Sequence, residues 1–230
     1  MARFRGLKRD MRAALVQQDW LERLQEFESL PVRQLTGPLL SLRLDREENV
    51  RWRAVQALGR VVARMAADSM ESARVLMRTL MWYLNEESGN LGWGIPEAMA
   101  EAMAGNAKLA EEYHSILASY IYCEESCDGN YLDHPDLRRG VFWGLARLAQ
   151  VRPELVAPAT RFLVAALSET DGHNRGLAAW TLGMLHAEEA RGPLQALLTD
   201  DAPVDVFRND ELERSNVAAM AGEALQRMQE

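Results

Sequence analysis

Only two cysteines, Cys123 and Cys127, occur in 230 residues, too few for a disulfide-stapled fold and consistent with a reducing, cytoplasmic setting. Glycine and proline number 15 and 8, which excludes a fibrous or loop-dominated chain. No apolar run approaches the roughly 18 residues of a membrane span; the longest covers residues 177–185. The basic N-terminal stretch has no apolar segment behind it, so a cleaved leader is not expected. Lysine is nearly missing: Lys8 and Lys108 stand beside 24 arginines, as a GC-rich genome would give. None of the four histidines is followed by glutamate. A phosphate-cradling glycine loop, a serine nucleophile elbow and a zincin motif are all missing. Nothing here announces an enzyme or a cofactor.

What the chain does have is helical periodicity and an uneven charge. Apolar residues recur at three and four, as in Val50, Ala54, Val55, Leu58, Val61 and Val62, with breakers between such stretches. Residues 85–136 carry eleven acids against Lys108, a local net charge of −10 within a total of −8. That balance argues against nucleic acid, which needs clustered cations. It points to a protein partner with a basic surface.

The helices repeat. The stretch from Val50, VRWRAVQALGRV, aligns with segments beginning at Leu91, Leu137, Asn174 and Val217, with anchors at Leu58, Met99, Leu145, Leu182 and Leu225. The anchor spacings are 41, 46, 37 and 43 residues. The residue before each anchor is small (Ala57, Ala98, Gly144, Thr181, Ala224), as close helix approach requires. All five anchors are expected to be buried.

On these residues, with 51–59 and 175–183 the best matches, the chain resembles HEAT-like repeat proteins of the short phycobilisome-lyase type. The segment 92–98 also resembles a small uncharacterised bacterial HEAT-like family. The resemblance implies an all-α, right-handed α-α superhelix of about five helical hairpins. Residues 1–18 form an amphipathic N-terminal capping helix, and residues 19–230 a single repeat domain. That first helix also reads as an attachment to an anionic membrane or an acidic partner. The last helix is expected over about residues 210–228. By resemblance, the implied function is a non-enzymatic interaction scaffold. The alternative is an accessory lyase-type or small-molecule-binding protein using a concave groove. The diiron hydroxylases of this class need His-Glu pairs, which are absent.

Several residues stand out as candidate sites. Cys123 and Cys127 read by default as free thiols beside an acidic turn; with His134 they also form a weak metal set, or the pair a reversible disulfide. Pro96 replaces Val55 of the matched repeat, so the helix there should begin near Ile95. This leaves Trp93 in an irregular turn near Glu86, Glu87 and Glu97. Trp93 reads as a docking residue or as a core plug. Two positions before the anchors stand Gln56, Glu97, Trp143, Trp180 and Glu223, a row expected to face solvent. Trp143 and Trp180 are therefore either a docking ridge or core beneath a neighbouring segment.

Overall fold

The computed structural model describes residues 2–85, 92–122 and 130–229. The chain divides into two compact units, residues 1–109 and 110–230. In the first lie α1 (Ala2–Val16), α2 (Trp20–Gln25), α3 (Val32–Leu42), α4 (Glu48–Asp68), α5 (Met70–Leu84) and α6 (Ile95–Gly105). The division falls within α7 (Ala107–Ser119). In the second lie α8 (Pro135–Ala149), α9 (Pro153–Val156), α10 (Thr160–Ala166), α11 (Gly172–Met184) and α12 (Arg191–Ala196). A hairpin of β1 (Pro203–Arg208) and β2 (Glu211–Asn216) follows, and then α13 (Val217–Arg227). No helix among the described residues is long and apolar enough to cross a membrane.

The repeat is visible in how the anchor helices pack. In the first unit α4 lies on α6, and in the second α11 lies on both α8 and α13. The anchors Leu58, Met99, Leu145 and Leu182 are buried. Leu225 is only half-buried, because α13 packs mainly on α11 and α12 and one flank stays open. Small residues set the approach. A Cβ on Gly59 would lie 2.9 Å from the Ala98 carbonyl oxygen, and one on Gly183 would lie 2.7 Å from the Ala224 Cα. Helix α1 packs on α3 and α4 and buries Met11 and Leu15.

A second recurring device holds the helix starts. Arg51, Arg138 and Arg175 occupy the same repeat position, and each guanidinium donates to the carbonyl six residues earlier. The bonds run to Asp45 at 3.3 Å, Leu132 at 2.6 Å and Glu169 at 2.7 Å. The arginine thus fixes the loop entering each helix, supplying a donor where the turn leaves a carbonyl without a backbone partner. In the second unit Asp171 and Asn216 add side-chain N-caps, accepting from the amides of Asn174 (3.0 Å) and Ala219 (2.8 Å). Such caps stabilise a helix by about 1 kcal/mol.

The β-hairpin corrects the expected helix over 210–228. Asn209 and Asp210 have φ of 54° and 63°, the pair of left-handed residues that closes a two-residue hairpin turn. Val204, Val206 and Phe207 are buried, and β1 packs against α11. Helix α13 consequently starts only at Val217, capped by Asn216.

Candidate docking site

The row two positions before the anchors does not face solvent as expected. Trp143 and Trp180 are only 2 % and 3 % exposed, so of their two readings, docking ridge or core beneath a neighbouring segment, the burial fits the core. The cover in the second unit is the hairpin. Trp143 donates its indole N–H to the Phe207 carbonyl at 2.7 Å. Glu223, in the same row, accepts two bonds from Arg208 of β1, at 2.6 and 3.0 Å. Two strands have been laid over a helix face that would otherwise present aromatic rings to water, and Trp143 is core.

The first unit treats the same row differently. Gln56 is buried and its Oε1 atom has no hydrogen-bond partner. Glu97 is half-buried, and its Oε2 atom is buried without a partner. Its surroundings follow from the local sequence. Gly94 takes φ 70°, and a Cβ there would lie 2.7 Å from Val55 Cγ2, so glycine is needed for both backbone and space. Pro96 in the first turn then starts α6 at Ile95, as the proline predicts. Trp93, just before the turn, remains 39 % exposed.

Arg43, directly after α3, ties this turn down from below. It is 3 % exposed and donates Nη1 to the Trp93 carbonyl. Its guanidinium lies 5.9 Å from the Tyr83 ring centroid, within cation–π range. Its Nε has no partner. Tyr83 in turn sits 5.5 Å from Trp82, the rings tilted by 56°. Trp82 is 54 % exposed, and Val75, two turns earlier on the same face of α5, is exposed as well. Three aromatic residues, a buried cation and a carboxyl oxygen without a donor therefore belong to one connected group.

Burial pushes the Glu97 carboxyl up to about 7, against the opposing pull of its own amide and of Arg43. Burial also pushes the Arg43 guanidinium down, though arginine keeps its charge. For Glu97 the fold favours the protonated form. Its stability cost is therefore absent below about pH 4.5, grows as pH rises towards 7, and is carried in full above that. Glu97→Gln should stabilise the protein at pH 8 by about 2 kcal/mol, allowing for partial exposure. At pH 4.5 it should change little. Urea denaturation at the two pH values measures the difference.

Of the remaining candidates, Glu86, Glu87, Cys123 and Cys127 lie outside the described residues. His134 is exposed, with Nδ1 4.0 Å from Asp136. The acidic segment is not wholly displayed to solvent. Glu101 is buried, and Asp136 pairs with Arg139 at 2.9 Å. Trp82, which no sequence motif marks, joins the site through Tyr83. Its only signal was the seven-residue spacing from Val75.

The HEAT-like repeat model matches residues 135–185, from the start of α8 through α11. Among solved structures, an engineered protein aligns at a TM-score of 0.52, with 18% identity over 95% of this chain and 98% of its own. A designed armadillo repeat protein in complex with peptide (KR)4 aligns at 0.50, again with 18% identity over 95% and 98%. An archaeal HEAT-like repeats protein from Thermococcus onnurineus NA1 aligns at 0.44, with 16% identity over 96% and 80%. No curated protein matches the chain. The chain thus carries a HEAT-like repeat over residues 135–185, and its stacked anchor helices and likeness to a designed armadillo repeat protein show a helical-repeat fold.

Proposed function

We propose that this repeat protein is an interaction scaffold that docks a basic segment of a protein partner at Trp82, Trp93 and Glu97. The observation that carries this reading is that two exposed indoles and the partnerless Glu97 Oε2 lie around Arg43, which holds the Trp93 carbonyl and faces Tyr83 beside Trp82. An incoming lysine or arginine would stack on an indole face and donate to that oxygen, satisfying a buried acceptor that otherwise costs stability. The charge agrees, since the chain carries −8 overall. A designed repeat protein of similar fold is in complex with peptide (KR)4, which supports a basic peptide as the first probe. Scaffolding suits a fold whose repeats stack into extended surfaces, and the fold alone does not choose the partner.

A fluorescein-labelled (Lys-Arg)4 peptide tests the reading by anisotropy. Trp82→Ala and Trp93→Ala should each weaken binding by roughly five- to thirty-fold. Both residues are exposed, so helical content should not change. Glu97→Gln should weaken binding while making the protein more stable at pH 8, a combination that damage to the fold cannot produce. If all three variants bind as wild type does, binding is diffuse charge attraction and the site is refuted.

A further inference from the structure

Away from the docking site, the first unit contains a cleft of about 350 Å³ bounded by α1, α2, the turn after it, α3 and α4. Its floor is core: Leu39 and Val61 are buried. Its wall is Leu24 and Phe27, both only half-buried, because the six-residue α2 is too short to cover the faces of α3 and α4. The size lies within the range of small-molecule pockets.

The rim of this apolar cleft is cationic. Arg60 and Arg64 stand one turn apart on α4 and both line it. Arg60 lies 5.8 Å from the centroid of the Trp20 ring, and Arg64 donates to the Leu30 carbonyl at 3.4 Å. Among the described residues neither has a carboxylate within ion-pair distance. That sets them apart from Arg12, Arg139, Arg175 and Arg208, each of which is paired with an acid. Glu28 also lines the cleft but pairs with neither arginine. The rim therefore keeps a net charge of +1 in a protein that is acidic overall.

We propose that this cleft binds a small linear amphiphile with a carboxylate head, of the fatty-acid class. The hydrocarbon chain lies against Leu24, Phe27 and Leu39, and the carboxylate is held between Arg60 and Arg64. Burial of the chain supplies affinity, and guanidinium–carboxylate bonds select the head. The site is independent of the basic-peptide docking reading and stands or falls without it.

Calorimetric titration of the full chain with dodecanoate, kept monomeric, should show saturable binding of one molecule. Dodecyltrimethylammonium, with the same chain and the opposite charge, should bind at least about tenfold more weakly. Arg60→Met and Arg64→Met should each weaken dodecanoate binding by about tenfold. Glu28→Gln should tighten it, and Leu24→Trp, which fills the cleft, should abolish it at unchanged helical content. Equal affinity for the two heads, no saturable binding, or undiminished binding by both arginine variants would overturn the proposal. The head-group comparison needs only wild-type protein, so it decides even if a variant fails to fold.

Discussion

Replacing Gly59 by valine should destabilise the first unit by roughly 3 kcal/mol or more and lower its melting temperature by roughly 6–12 °C. The reason is local. The new Cβ would lie 2.9 Å from the Ala98 carbonyl oxygen and 3.0 Å from the Ala102 amide nitrogen, and closer still to Glu101 Cβ. Those first two are backbone atoms of a packed helix, so no rotamer change can relieve the overlap, and α4 must move off α6. Gly6→Ala is the matched control. It too is a helical glycine, but nothing lies within 4 Å of its would-be Cβ. There the better helix propensity of alanine should stabilise the protein by about 0.5–1 kcal/mol. Thermal melts followed by circular dichroism measure both, and equal effects of the two substitutions would contradict the packing described.

Trp143→Ala should be more damaging still, at about 3–5 kcal/mol. Truncation empties the space of a ring that is 2 % exposed and removes the donor to the Phe207 carbonyl. The loss should spread to the hairpin. Amide exchange across residues 203–216 should accelerate in the variant, while the α4–α6 packing in the first unit keeps its protection. Trp143→Phe separates the two contributions, since it keeps most of the apolar contact and loses only the hydrogen bond. Its cost should be about 1–3 kcal/mol. A variant in which the hairpin keeps wild-type protection would show that the strands do not depend on this indole.

The repeat register was legible in the sequence because it depends on local spacing. Buried Leu58, Met99, Leu145 and Leu182, and the small residue before each, follow from which positions of a helix face the next helix. The helix start at Ile95 was legible too, because proline restricts the backbone at that point. The row containing Trp143 and Trp180 is expected from spacing to face solvent and does not, since its exposure depends on a segment distant in sequence; spacing alone leaves the two indoles open between ridge and core. The Asn209-Asp210 turn between Val204, Val206 and Leu212 was a readable hairpin signal, yet the helical pattern on either side outweighed it. Nor could spacing alone place Arg43 beneath Trp93, fifty residues away. Trp93 and Glu97 stand out in the sequence by their irregular, acidic setting. Their connection through Arg43 and Tyr83 to Trp82 exists only once α3, α5 and α6 are packed together.

Hydrogen–deuterium exchange with and without saturating (Lys-Arg)4 peptide tests the docking role most directly. Exchange should slow within residues 80–85 and 92–101, which carry Trp82, Trp93 and Glu97, and it should stay slowed in moderate salt. Slowing confined to other segments, or spread evenly over the exposed acids and lost on adding salt, would contradict it.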